Sequence, residues 1–333
     1  MKTRPGSGEF EIIERFFRPL SSGEPGALDL TDDAALMDVA PGHTLVATTD
    51  LLIAGVHFFP ADPADLIARK LLRVNLSDLA AMGARPRAYL LSCGFPADVK
   101  DEWLQAFSDG LAEDQRTFGV SLAGGDTVAS PGPLIVSVTA LGEVPRGAAL
   151  LRSGARVGDA VFVSGTIGDA ALGLRILRGE ASAPADLRAA LVDRYHLPRP
   201  RVALGQALRG IARAAIDVSD GLAGDMGHVC ETSGVGAVID WPKVPLSPAA
   251  RQLLARDPAL RPAILGGGDD YELLFTAAPE SASGLADLAA RLDVAVTAIG
   301  RITEGEGVVV RDEKGAEIAL ASPGYRHFKP SAP

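Results

Sequence analysis

The chain has 333 residues, 47% hydrophobic and 22% charged, with a formal net charge of −10. That length exceeds what one hydrophobic core usually serves, so two domains are expected of an ordinary globular composition. The acidic balance argues against a general nucleic-acid binder. Two distant cysteines, Cys93 and Cys230, argue against a disulfide scaffold. No run of residues resembles a secretory h-region or a membrane span, which leaves a cytoplasmic enzyme as the expectation.

In chain order, Glu9 to Phe17 places Phe10, Ile12, Ile13, Phe16 and Phe17 at helical spacing and predicts a short amphipathic helix. Residues 44–49 (TLVATT) and 134–141 (LIVSVTAL) read as strands. Between them, Asp62 and Pro63 open an amphipathic helix with Leu66, Ile67, Leu71, Val74 and Leu79 on its stripe, closed by Gly83 and Pro86. A second helix fits 99–118, before a strand VSLA. Residues 142–159 break the pattern with Gly, Pro and Arg and mark a domain boundary. Beyond it, strands AVFVS, AAIDV, YELLFT, VAVTAIG and VVVRD alternate with helices starting near 169, 221 and 280, which argues for α/β layers.

Six acidic phrases punctuate this framework: TDDAAL (31–36), ATTDLLIAGVHF (47–58), NLSDLAAMG (75–83), AGGDTV (123–128), IDVSDGL (216–222) and GGGDDYELLF (266–275). Most sit where an apolar strand runs out. Carboxylates gathered beside Gly, Ser and Thr suit Mg²⁺, which takes oxygen ligands from a few carboxylates and from substrate phosphates. The pattern points to metal-dependent phosphoryl transfer.

Each phrase also has a plain reading. Thr48, Thr49 and Asp50 are expected to leave the sheet together, with Asp50 either a ligand or a turn cap. Asp78 lies inside a helix, where Asp has poor propensity and nothing to cap; a surface ion pair is the alternative. Gly124 and Gly125 before Asp126 either admit a phosphate or make a tight turn. Asp217, Ser219 and Asp220 fall at a strand-to-helix junction, followed by a free helix N-terminus that would favour an anion. SGTIGDAALG (164–173) matches no phosphate-loop pattern and is read as a structural turn. His57, seven residues past Asp50, is structural or part of the site.

Taken in order, GEFEIIERFF, DD-A-L, TTDLLIAGVHF, DPADLIARKLLRVNLSDLAAMGA, GGDT, RSGARVGD, IDVSDGL, GDDYEL and GYRHF resemble the thiamine-monophosphate kinase family across nearly the whole chain. NLSDLAAMGA with GGDT and SDGL resembles the wider aminoimidazole-ribotide synthetase superfamily. The resemblance implies an α/β fold. An N-terminal α/β domain (1–148) would bind metal and ATP, its sheet pairing across a homodimer. A C-terminal α/β sandwich (149–333) would complete the ATP and substrate site. It implies ATP as co-substrate, several Mg²⁺ ions, and conversion of thiamine monophosphate to thiamine diphosphate, with no nucleic-acid or membrane partner.

By motif, Asp33, Thr48, Thr49, Asp50, Asp78, Asp126, Asp217 and Asp220 would be metal ligands. Gly125, Asp126, Arg152 and Ser219 would contact ATP, and His57, Asp269 and Tyr325 the thiamine substrate. Two positions depart from the family: Thr31 replaces the usual Gly, and Asp269 the usual Glu. No general base is implied, because a phosphate monoester is largely ionised at neutral pH and is already a nucleophile. Related chemistries fit less well: a hydrogenase-maturation dehydratase would need a C-terminal Cys, and selenophosphate synthetase a Cys near the start. A nucleotide sensor without turnover is the alternative outside enzymes.

Overall fold

The computed structural model describes residues 8–320 together with 322, 324 and 325. The Arg326, His327 and Phe328 of the GYRHF phrase lie outside the described residues. The chain divides into two compact units. One comprises residues 1–79 and 84–147; the other comprises 80–83 and 148–333. Among the described residues, no helix is long and apolar enough to cross a membrane.

The first unit opens with α1 (Glu9–Ile12), which continues as a π-helical turn through Phe17. It then alternates β1 (His43–Ile53), α2 (Ala64–Ala81), β2 (Arg85–Pro96), α3 (Asp101–Phe118), β3 (Ser121–Ser130) and β4 (Ile135–Pro145). The four strands form one sheet in the order β1-β4-β2-β3, antiparallel except for the β2/β3 pair. Strand β2 is the element that composition concealed, and it holds the sheet together from the inside. Strand β1 also runs four residues further than its β-branched core suggests.

Helix α2 is buried along almost its whole length, not on one stripe as its pattern suggested. Its arginines therefore need partners. Arg73 forks onto Asp114 of α3 at 2.6 and 2.8 Å, and Arg69 adds a third bond at 3.1 Å to the same fully buried carboxylate. Gly119, at φ +65°, ends α3 in the left-handed conformation that favours Gly. The opening segment docks by its aromatics: Phe17 stacks on Phe95 with centroids 6.4 Å apart, and Ser108 donates to the Phe16 carbonyl at 2.6 Å. Phe10 stays exposed.

The second unit contains β5 (Ala160–Ser164), α4 (Asp169–Leu177), α5 (Ala185–His196), α6 (Val202–Ala207), β6 (Ala214–Asp217), α7 (Leu222–Ser233), β7 (Gly236–Asp240), α8 (Pro248–Arg256), α9 (Arg261–Gly266), β8 (Leu273–Ala277), α10 (Ala282–Leu292), β9 (Val296–Thr303) and β10 (Gly307–Arg311). Its six-stranded sheet runs β10-β7-β9-β5-β8-β6; all neighbours are antiparallel except β10/β7. One large core packs α4, α5, α7, α8 and α9 around Val161, Ile216, Leu222 and Met226. A second core, with Phe162 stacked on Phe275, takes α6 and α10.

The α2/α3 contact gives a test of packing. A Cβ at Gly110 of α3 would stand 2.4 Å from the Asp65 carbonyl oxygen. Alanine gains about 1 kcal/mol of helix propensity over glycine, yet overpacking costs about 1–3 kcal/mol. Gly110→Ala is therefore expected to lower the melting temperature measured by circular dichroism, despite being the better helix former.

Candidate active site

The acidic phrases fall into separate places, which the strand geometry explains. Thr48, Thr49 and Asp50 lie inside β1, so they do not leave the sheet together. Side chains along a strand alternate between faces. Thr48 and Asp50 share the face covered by α2, where the Thr48 hydroxyl donates to Asp78 Oδ2 at 2.6 Å. Thr49 takes the other face and donates to the Val138 carbonyl at 3.1 Å. Burial, then the neighbouring Asp78 charge, pushes the Asp50 carboxyl up to about 6. Two carboxylates brought together under a helix suit a cation between them.

Asp126 is on the far edge of the same sheet, within β3 rather than after it. Asp50 pairs with Val138, Val138 with Leu91, and Leu91 with Gly125. Three strand spacings, about 14 Å, thus separate the two edges. Asp126 pairs with Ser92, whose row points away from α2. It lines a cavity of about 690 Å³ with Asp32, Asp33, Gly125 and Thr139 against an apolar wall that includes Phe17, Leu90 and Leu141. Gly125 has a packing reason of its own: at φ +156° a Cβ would meet the Leu91 carbonyl oxygen at 1.7 Å. Thr31 needs no glycine, because its φ of −109° suits any residue, and its hydroxyl donates to the Leu28 carbonyl at 2.8 Å.

His57 follows the β1 edge. The Ile53 N–H donates to its Nδ1 at 3.0 Å. A ring that accepts at Nδ1 carries its proton on Nε2, so it offers a donor and not a base.

In the second unit, one turn gathers five of the six predicted residues. β6 ends at Asp217, which is buried, and α7 begins at Leu222. The Asp269 N–H donates to the Ser219 carbonyl and the Tyr325 N–H to the Asp220 carbonyl, each at 2.9 Å. Gly268 is forced by this approach, since a Cβ there would lie 2.0 Å from the Ser219 carbonyl oxygen. Asp269 adopts φ +70°, where a short Asp is better tolerated than most residues. Arg152 is elsewhere: its carbonyl accepts from Ser233 at the far end of α7 at 3.5 Å, and Ser233 Oγ also receives the Gly154 and Ala155 N–H groups.

The approach to the helix after Asp220 is engaged by the helix's own Asp225, at the two residues just ahead of it. Asp225 Oδ2 accepts from the Asp220 and Gly221 N–H groups at 3.1 and 3.0 Å. SGTIGD is likewise a structural turn, its Gly168 and Ala170 N–H groups bonded to the Asp270 carboxylate at 2.7 and 3.4 Å. Within GDDYEL, Glu272 is fully buried and bound by Arg194, Arg201 and Ser164. Sequence reasoning missed Asp225, Asp270 and Glu272. The available signal was an Asp one turn into the apolar segment LAGDMGHV. Among the described residues, no three His, Cys, Asp or Glu side chains gather closely enough to hold a metal.

Two matched family descriptions account for this architecture: AIR synthase related protein, N-terminal domain, over residues 31–144, and its C-terminal domain over 156–313. Within that class the chain belongs to the thiamine-monophosphate kinase family. It is 45% identical over 322 residues to the thiamine-monophosphate kinase of Caulobacter vibrioides, covering 96% of this chain and 90% of that relative. The crystal structure of thiamine-monophosphate kinase from Stenotrophomonas maltophilia superimposes with a TM-score of 0.79 at 46% identity, covering 84% of this chain and 89% of that one. A structure of AaThiL complexed with AMPPCP and TMP matches with a TM-score of 0.77 at 32% identity, over 92% and 97% of the two chains.

Asp270 gives a pH test. Its complete burial, against the Gly168 N–H bond, raises its carboxyl well above the ordinary value. The folded state then holds a proton that the unfolded state releases, so this group's contribution falls as pH rises above about 4, until the folded carboxyl also ionises. Asp270→Asn lacks that slope. Its melting temperature relative to wild type is expected to rise from pH 5 to pH 8.

Proposed function

We propose that this protein transfers the terminal phosphoryl group of ATP to the phosphate of thiamine monophosphate, yielding thiamine diphosphate. The observation that carries the reading is the pairing of Asp50 with Asp78 under α2, beside Thr48. Family membership and the relatives' names support it. The donor set fits a hard divalent cation: carboxylate and hydroxyl oxygens, met in pairs, leave coordination positions for phosphate oxygens and water, as Mg²⁺ prefers. Thr48, Asp50 and Asp78 would hold one ion. Asp33 with Asp126, and Asp217 with Asp220, would hold others, and Thr49 would be a ligand at the opposite edge of the sheet from Asp126. Bound Mg²⁺ supplies neutralisation of the charge on the two phosphate chains.

The chain's own groups do the rest. Gly125 and Ser219 approach the nucleotide, and Arg152 is a planar two-pronged donor for a phosphate. Asp269, Tyr325 and the Nε2–H of His57 orient the acceptor. The acceptor phosphate is already ionised, so attack in line needs positioning and charge compensation, not proton removal. The carboxylates already bonded at two helix starts, Asp270 at α4 and Asp225 just ahead of α7, support a metal-borne seat for the phosphates over a helix-borne one.

The reading extends to a homodimer. β1 and β3 are the two edges of the first sheet, and β1 is 11 residues long with Leu45 and Leu51 exposed. Such an edge is a liability until covered. A second copy related by a two-fold axis would set the β1 edge against the partner's β3 edge. Sedimentation equilibrium at micromolar concentration is expected to give twice the chain mass; a single-chain mass refutes the dimer.

Activity is tested by incubating protein with Mg-ATP and either thiamine monophosphate or free thiamine, reading product mass. Thiamine monophosphate is expected to be converted and thiamine to be poor, since its hydroxyl needs a base and His57 is in the wrong tautomer to be one. Asp50→Asn and Asp220→Asn should keep the wild-type melting temperature within a few degrees and lose at least a hundredfold in kcat. His57→Asn should raise KM for the acceptor more than it lowers kcat. Efficient turnover of free thiamine, lost in His57→Asn, would overturn the acceptor assignment.

A further inference from the structure

We propose that Asp225 is a positioning residue that fixes the Ser219–Asp220 turn for metal and nucleotide, by filling the seat an anion would otherwise take at the start of α7. The proposal rests on the reading of Asp220 as a metal ligand. Asp225 is 2% exposed, and one oxygen, Oδ2, accepts from both the Asp220 and Gly221 N–H groups. Its own N–H donates back to the Gly221 carbonyl at 2.9 Å, so the two segments are tied in both directions.

The carbonyl side of the turn is held independently. Ser219 and Asp220 carbonyls accept from Asp269 and Tyr325. The N–H side depends on Asp225. Gly221 sits at φ +132°, ψ +145°, a region open essentially to Gly alone, and the Gly266 backbone lies where its Cβ would be. The turn is thus pinned on its carbonyl side by Asp269 and Tyr325 and on its N–H side by Asp225, and residue 221 has room for no side chain. Remove the carboxylate, and two enclosed N–H groups lose their acceptor. They would then rotate the Asp220 peptide or recruit an anion, the usual ligand of such an end.

Because one oxygen makes both bonds, Asp225→Asn can keep them through its amide oxygen, whereas Asp225→Ala cannot. The experiment compares the two variants with wild type and with Asp220→Asn. Readouts are Mn²⁺ binding to the nucleotide-free protein, followed by the free-ion electron paramagnetic resonance signal, and half-saturating Mg²⁺ in the kinase assay. A third is inhibition by inorganic sulfate. Expected for Asp225→Ala are a tenfold or greater loss in Mn²⁺ binding, the same rise in half-saturating Mg²⁺, and new inhibition by sulfate competitive with ATP. KM for the acceptor should stay within about twofold, and Asp225→Asn within about threefold of wild type throughout. If Asp225→Ala does not fold, Asp225→Ser, too short to reach both N–H groups, takes its place with the same expectation. A lowered melting temperature with wild-type Mn²⁺ binding and Mg²⁺ dependence would make Asp225 merely structural and overturn the proposal. Wild-type metal behaviour in Asp220→Asn would instead overturn the ligand assignment on which it rests.

Discussion

Glu272 is the side chain on which the second unit is built. A carboxylate with no exposed surface is tolerable only when saturated. Here Arg201 supplies two bonds at 2.6 Å, Arg194 one at 3.0 Å, and the Ser164 hydroxyl one at 2.6 Å. These partners come from β5, from α5 and from the residue that precedes α6, so one charge ties the sheet to its helices. Ser164 also accepts the Leu273 N–H at 2.8 Å, locking the first residue of β8 to the last of β5. The loop just upstream, with Asp269 and Tyr271 both at positive φ, is strained backbone. It holds its shape because its downstream end is anchored by Glu272 and its upstream end by α9. The Ser219 carbonyl therefore meets the Asp269 N–H at a fixed place.

The first unit solves a different problem, how to put acidic groups on a sheet without burying them unpaired. Alternation along β1 sends Asp50 beneath α2 and Thr49 outward, and the strand order sends Asp126 to the opposite edge. Asp50 and Asp126 are thereby kept apart, so their charges do not add at one place.

Much of this was legible in the sequence where local chemistry and burial agree. The strong helix signal at 62–83 and the Gly119 terminus are stated by the residues that make them. The junction IDVSDGL was also readable, because a β-branched run ends on polar residues and a Gly. Strand β2 was hidden: between Pro86 and Gly94, Ala88 and Tyr89 are buried in succession at a register shift and apolar Leu90 is exposed, so polarity keeps no clean period. The Thr48–Thr49–Asp50 run misled because polar residues were read as the strand's end, when the strand carries them onto its two faces. GDDYEL places three acids within four residues, and only backbone conformation separates them. Asp269 stays half-buried beside the Ser219 carbonyl, while Asp270 and Glu272 turn inwards. Asp225 was missed because its task is to hold N–H groups several residues earlier, a contact that exists only once the chain has turned.

Helix α7 has the Asp220 turn at one end and, through Ser233, the Arg152 loop at the other. Its 12 residues span about 18 Å. That makes the helix a ruler for any polyanion that is to touch both ends. Removing one residue would shorten the span by about 1.5 Å and rotate Ser233 by about 100° relative to Asp225, carrying its hydroxyl off the Gly154 and Ala155 N–H groups it now holds. The interval from Asp220 to Ser233 is thus a stretch whose length is set by what its two ends hold.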